Sequence, residues 1–147
     1  MFKHILVATD GSELSDKAVA SAIALAAEHD AELVAFIVVP QYAHSLMMGA
    51  LSFATDEVAQ AESRSSGQAW TTLEAIVLRA RASGVRVKTA AGRSDRPAEA
   101  IVSAARKHRS DLIIMASHAR KGIRRLLMGS ETQGVLTRSS VPVMVLC

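Results

Sequence analysis

The chain has 147 residues but only one cysteine, Cys147, so no disulfide framework can form within it. Small oxidised scaffolds are thereby excluded, and the usage fits a reducing compartment. Aromatic residues make up only 3 % of the sequence while half of it is hydrophobic, so the core must be built from Ala, Val, Ile and Leu. That composition suits a parallel sheet enclosed by alanine-rich helices. Scarce aromatics also remove the interleaving of rings and basic residues that marks many nucleic-acid binders, and nucleic acid is an unlikely partner. No apolar run approaches the ~20 residues of a membrane-spanning helix. The start, Met1-Phe-Lys-His-Ile, passes directly into a strand pattern, so no signal peptide is expected. Only three prolines are present and no Pro/Gly/Ser-rich linker, which points to one domain over residues 1–147.

Charge is not scarce, but it is unevenly spread. Residues 1–74 carry 3 Lys/Arg and 10 Asp/Glu, a net −7, whereas residues 75–147 carry 14 and 4, a net +10. The basic half contains the turn Met128-Gly129-Ser130-Glu131-Thr132-Gln133, preceded by Arg120, Lys121, Arg124 and Arg125. A buried strand leading to a Gly-Ser helix start is a common way to make an anion pocket, because the first helical amides lack partners and the dipole favours negative charge. Ser130 is expected to cap this helix, with Gln133 completing a capping box.

Strand and helix patterns alternate. Ile5-Leu-Val-Ala is a strand stopped by a turn and helix cap at Thr9-Asp10-Gly11-Ser12, and Ala18, Ala22, Leu25 and Ala26 share one helical face. Leu33–Val39 reads as a second buried strand ended by Pro40. Residues 40–54 read as an apolar loop holding Tyr42, His44, Met47, Met48, Leu51 and Phe53: a flap, a dimer contact or a ligand lid. A long helix from Asp56 to Ser83, with Trp70, Leu73 and Val77 on one stripe, ends at Gly84. The alternation in Val85–Ala90 predicts a half-exposed edge strand. A helix opens at Asp95-Arg-Pro97 and buries Ala98, Ile101, Val102 and Ala105. Asp111–Ala116 is the fourth strand, Ser130–Arg138 the last helix and Val141–Leu146 the fifth strand. The pattern predicts an α/β fold: an open, five-stranded parallel sheet with four helices on both faces, Rossmann-like.

In such sheets a ligand binds beyond the carboxyl ends of the strands, where strand order reverses. If the first and fourth strands are neighbours there, Asp10 and Ala116-Ser117 line one crevice. Asp10 is suited to accept from an adenine amino group or a ribose hydroxyl, and equally suited to cap its own turn. His118 and the other histidines form no recognisable catalytic set, and neither a metal-ligand cluster nor a Walker-type loop is present, so no catalytic residue is assigned.

Six segments in order resemble the universal stress protein family along essentially the whole chain. They are Ile5-Leu-Val-Ala-Thr-Asp-Gly-Ser, Phe36-Ile-Val-Val-Pro, Arg96-Pro-Ala-Glu-Ala-Ile, Asp111-Leu-Ile-Ile-Met-Ala-Ser-His, Leu127-Met-Gly-Ser, and Val135-Leu through Val141-Pro-Val. The resemblance implies strand order 3-2-1-4-5, a homodimer through the terminal strand Val141–Leu146, and a cytoplasmic stress-response role with protein partners the sequence does not name. For the nucleotide-binding branch it implies ATP or AMP in the crevice, with Mg a candidate companion of the phosphates. That branch carries Gly, two residues, Gly, nine residues, Gly, then Ser or Thr. Here the register reads Ala116, Ser117-His118, Ala119, nine residues, Gly129-Ser130, so the spacing is kept and both leading glycines are alanine. An alanine forced into a left-handed conformation would cost on the order of 1–2 kcal/mol. By the same register Thr9 sits beside Asp10, and Val38 touches adenine through its main chain. Ser117 and Ser130 contact ribose or phosphate, and Thr132 adds a hydroxyl. Glu131, a carboxylate in the first helical turn, would repel a triphosphate. Val38 as a plain core residue and Ser130 as a plain cap are the structural readings of the same positions. A nucleotide-free interaction module and a slow ATPase are the alternative functions.

Overall fold

The computed structural model describes residues 1–39, 52–117 and 129–147. The elements in order are β1 (His4–Thr9), α1 (Glu13–His29), β2 (Glu32–Val39), α2 (Ser52–Ala82), β3 (Val87–Arg93), α3 (Pro97–Lys107), β4 (Leu112–Ala116), α4 (Ser130–Arg138) and β5 (Val143–Leu146). The strands form one five-stranded sheet in the order β3-β2-β1-β4-β5, every neighbouring pair parallel. The α/β sheet expected from the alternating pattern is therefore the one observed, with the order implied by the family resemblance.

Strand alternation divides the core into two layers. On one face Ile5 and Val7, with Leu33, Ala35 and Ile37, pack against Ala18, Ala22 and Ala26 of α1 and Leu73, Ile76 and Ala80 of α2. On the other, Leu6, Val34, Phe36, Ile113 and Met115 pack against Ile101, Val102 and Ala105 of α3 and Val135 of α4. Small alanines on α1 let it lie close to the sheet without aromatic fill. The chain thus winds twice on one side, through α1 and α2, then twice on the other, through α3 and α4.

Several expected boundaries move. The helix expected from Asp56 already begins at Ser52, so residues 52–54 are helical and not loop. Its buried stripe is Ala69, Leu73, Ile76 and Ala80; Trp70 is 49 % exposed and lies off it. A long tryptophan is a weak guide to a helix face, because its large ring can cover the surface from a neighbouring position. Val85 belongs to the turn leaving α2, its N–H donating to the Ala80 carbonyl at 2.9 Å, so the edge strand starts two residues later, at Val87. β5 starts at Val143 and not Val141: Val141 N–H goes to Ser139 Oγ, while the Pro142 carbonyl accepts from Ile113. Of the expected apolar loop, Tyr42, His44, Met47, Met48 and Leu51 lie outside the described residues.

Three helices close with the same pair of crossed bonds. Ala31, Val85 and Ser110 donate to the carbonyls of Ala26, Ala80 and Ala105 at 2.8, 2.9 and 2.8 Å. The residue before each donor has positive φ: Asp30 at 52°, Gly84 at 73° and Arg109 at 54°. Glycine is the usual occupant of such a position, because Cβ crowds the neighbouring carbonyl there.

Candidate functional site

The reversal of strand order lies between β1 and β4, and the ladder registers show what happens there. β1 pairs with β2 through Thr9↔Ile37, and β4 pairs with β5 through Ala116↔Leu146. Between β1 and β4, however, pairing ends at Val7↔Ile114. Both strands continue for two more residues, so a crevice opens at the carboxyl edge of the sheet. This is where the doubly wound topology directs a ligand.

Main-chain direction can be read from the bonds at the strand starts, because peptide groups in a strand turn to alternate neighbours. Glu32 N–H goes to Lys3 in the β1 direction and Leu33 N–H goes to Arg86 in the β3 direction. Val38, of the same parity as Glu32, therefore turns its peptide groups toward β1, one residue past the last β1–β2 pair. By the same alternation Ile113 and Ser117 donate to Pro142 and Leu146 across β5, so Ala116 between them turns its peptide groups toward β1. Val38 and Ala116 thus both present main chain on the β1 side, and Val38 also packs at the margin of the α3/α4 core layer. Ala116 is buried in the opposite layer, with α1 and α2, so its methyl does not fill the crevice. It has no left-handed backbone; among the described residues only Asp30 and Arg109 combine positive φ with a side chain.

The turn after β1 is built by hydroxyls. Ser12 caps α1, its Oγ accepting from Ser15 N–H at 3.2 Å. Thr9 Oγ1 lies 2.9 Å from Ser15 Oγ in the buried interior and accepts from Gly11 N–H at 3.1 Å. Asp10 Oδ1 accepts from Ser12 N–H at 2.9 Å, which holds the carboxylate over the turn that follows β1. Gly11 takes φ 81°, with Thr72 Oγ1 only 3.3 Å from where a Cβ would stand. Asp10 therefore performs the turn-closing role foreseen for it, and Thr9 braces the turn from within.

At α4 the expected cap is corrected. The cap residue is Gly129, with φ −52° and ψ 149°, and no side chain caps this end. Ser130 is the first helical residue, and its Oγ donates to Glu131 Oε2 at 2.8 Å. No capping box with Gln133 forms; Gln133 N–H instead donates to the Gly129 carbonyl at 3.1 Å, the ordinary first helical bond. The cap lies one residue earlier than expected, and the neighbouring carboxylate takes the serine hydroxyl. The first-turn amides are consequently left without a side-chain acceptor among the described residues, which favours an incoming anion. Because α4 runs antiparallel to the strands, this end lies at the carboxyl edge of the sheet. Ser117 and Thr132 are both buried. Ala119, His118 and the basic residues Arg120, Lys121, Arg124 and Arg125 lie outside the described residues.

A doubly wound parallel sheet in the order β3-β2-β1-β4-β5, with helices on both faces, defines a Rossmann-like α/β protein. The chain belongs to the universal stress protein family, whose model matches residues 1–146. It is 34 % identical over 148 residues to a universal stress protein of Thermus aquaticus, covering 99 % of this chain and 98 % of that one. To universal stress protein MJ0531 of Methanocaldococcus jannaschii it is 32 % identical over 145 residues, covering 99 % and 82 %. Among solved structures, MJ0577 superposes with a TM-score of 0.80 at 26 % identity, covering 99 % of this chain and 96 % of that chain. The same fold, at 22 % and 19 % identity, recurs in a universal stress protein in complex with cAMP and in one from Archaeoglobus fulgidus in complex with dAMP. Their TM-scores are 0.70 and 0.66, and each covers 99 % of this chain, with 97 % and 98 % of their own lengths matched.

Proposed function

We propose that this universal stress protein is a single domain over residues 1–147 that binds an adenine nucleotide, ATP or AMP, in the β1–β4 crevice. The observation that carries the reading is the ladder that stops at Val7↔Ile114 while both strands run on. The parity of Val38 and Ala116 turns backbone donors and acceptors to that opening, where a base and ribose need them. Asp10 is the side-chain acceptor for the ribose or the adenine amino group, Ser117 and Ser130 contact ribose or phosphate, and Thr132 adds a hydroxyl. The amides of Ser130, Glu131 and Thr132 receive the phosphate, with Gly129 admitting it close to the backbone. Ala119 completes the register. Among the described residues no three His, Cys, Asp or Glu side chains gather as a metal site. Magnesium would therefore enter with the phosphates. The nucleotide complexes of fold relatives agree with this reading.

The function that follows is regulatory: occupancy of the crevice changes what the protein associates with, in a cytoplasmic stress response, without rapid turnover. No helix among the described residues is long and apolar enough to cross a membrane. A homodimer forms through β5 and the Val141–Leu146 segment, an edge strand on which Met144 is exposed. A second reading, a nucleotide-free interaction module, draws on one contact, the Ser130 hydroxyl already held by Glu131. Slow ATP hydrolysis is the third.

Calorimetry on unfolded, ligand-stripped and refolded protein separates these readings. Heat of binding with AMP or ATP, weakened at least tenfold by Asp10→Ala, is the expected result. No heat at millimolar nucleotide leaves the interaction module. Phosphate release that persists in an Asp10→Ala/Ser130→Ala variant would assign hydrolysis to a contaminant.

A further inference from the structure

At the opposite edge of the sheet lies a pocket of about 250 Å³ that the proposed nucleotide crevice does not use. It sits between the end of α3 and the turn from α4 into β5, below the amino ends of β4 and β5. Val102, Ala105 and Val141 give it an apolar floor, and Arg106 and Arg109 line its wall. Among the described residues no acidic partner of either guanidinium is found within ion-pair distance. Glu99, the acid of α3, is taken up at the far end of that helix by Arg96 and Arg138, at 3.5 and 3.9 Å. Asp111, next to the pocket in sequence, spends its carboxylate on the N–H groups of Lys3 and His4 at 2.8 and 3.1 Å.

Ser110 supplies an independent indication. It lines the same pocket, is only 6 % exposed, and among the described residues its Oγ has no hydrogen-bond partner. A buried hydroxyl without a partner is costly and calls for an explanation. Ser139, also on the wall, is internally satisfied, donating to the Val141 carbonyl at 2.7 Å, so the vacancy belongs to Ser110. The end of α3 would ordinarily oppose an anion, but its carbonyls are partly spent: those of Ala104, Ala105 and Arg106 accept from His108, Ser110 and Arg109. Arg109 stands at φ 54°, where α2 uses Gly84. A long cation is thus kept where glycine fits with less strain.

We infer that the pocket between Arg106, Arg109 and Ser110 is a second ligand site, one that takes the phosphate group of a small phosphate monoester. Two planar guanidiniums with a hydroxyl donor match the several acceptor oxygens of a phosphate. The pocket falls just below the roughly 300–1,000 Å³ of sites that enclose drug-sized ligands, so it takes a headgroup with a short apolar tail over Val102 and Val141, and not a nucleotide.

The test is a titration of the full chain with inorganic phosphate, followed by amide NMR, against sodium chloride at matched ionic strength. Saturable shifts at Arg109, Ser110 and Val141, specific to phosphate, are expected. Arg109→Gly should weaken binding about tenfold without lowering the melting temperature, since glycine suits that backbone. Ser110→Ala should weaken binding severalfold yet leave the unliganded protein as stable or up to about 2 °C more so, because it removes an unpartnered hydroxyl. The inference is overturned if chloride reproduces the shifts, if they fail to saturate, or if saturable shifts appear only at Gly129–Thr132. It is equally overturned if saturable shifts at the pocket survive in an Arg106→Gln/Arg109→Gly variant.

Discussion

Substituting alanine for Gly134 measures how closely α4 is held against α3. A Cβ at Gly134 would stand 2.6 Å from the Cβ of Ala98 and 3.2 Å from Nη1 of Arg138. The arginine tip can swing away, but Ala98 is short and rooted in the backbone of α3. Carbon atoms settle at about 3.5–4.0 Å, so the helices must part by about 1 Å. Overpacking of this kind costs roughly 1–3 kcal/mol, against which alanine gains about 1 kcal/mol of helix propensity over glycine. The net loss is about 1 kcal/mol, or ~2–4 °C in melting temperature for a chain of this size. Urea unfolding followed by circular dichroism, with an unchanged m value, reads it. Adding Ala98→Gly should relieve the steric part, giving a favourable coupling in the double-mutant cycle. A rise in stability of about 1 kcal/mol for Gly134→Ala alone would show that propensity is the only term and that the helices are not in contact there. Because Gly134 lies one turn beyond Gly129–Thr132, the same variant should also weaken nucleotide binding.

Gly84→Ala meets nothing within 4 Å but keeps φ at 73°, so it isolates backbone strain. Strain of about 1–2 kcal/mol less an unfolded-state gain of about 0.4–1 kcal/mol predicts a loss of roughly 0.5–1 kcal/mol by urea unfolding; a stabilised variant would refute it. Asp111→Ala removes the acceptor of two main-chain N–H groups at the start of β1, at 2.8 and 3.1 Å, and should cost about 1–3 kcal/mol, with Asp111→Asn recovering part. Glu131→Gln withdraws a carboxylate from the first turn of α4, a site worth ~0.3–1 kcal/mol, so nucleotide affinity should rise about two- to fivefold by calorimetry. Met144→Lys on the edge strand should lower the mass seen by light scattering to that of one chain; an unchanged dimer would place the interface elsewhere.

The two-layer fold was legible because aliphatic runs and alanine faces differ in period. Ile5–Ala8 and Leu33–Val39 are too short and too uniformly apolar to be anything but buried strands, and both are. Ends were less legible, since they depend on where a main-chain N–H finds its acceptor. Val85 looked like strand by alternation, yet its N–H is held by the last turn of α2. Ser130 looked like a cap by identity, yet the adjacent Glu131 takes its hydroxyl and Gly129 occupies the cap position. The Asp10 turn was read correctly because Asp-Gly-Ser carries its own acceptor and its own permissive residue. The phosphate pocket at Ser110 left no sequence signature at all: its parts come from two helix ends brought together by the crossovers.

The altered glycine pattern also acquires a physical meaning from the register. A glycine at the end of β4 would be needed if that residue turned left-handed or if a Cβ would obstruct the ligand, and neither holds for Ala116. Its peptide groups point across to β1 while its methyl drops into the layer beneath α1 and α2. The main-chain groups and the core-facing methyl of this residue point in different directions, so alanine adds core burial without closing the crevice. At α4 the compromise runs the other way, because a side chain there would contend directly with the phosphate of the proposed nucleotide. Glu131 lends its charge to the helix dipole and draws in the Ser130 hydroxyl. An arriving phosphate must displace that contact and face the carboxylate, a penalty that grows with each negative charge it brings. On the proposed reading the monophosphate should bind more tightly than the triphosphate, and the ratio of AMP to ATP affinity should fall toward unity once Glu131 is neutralised.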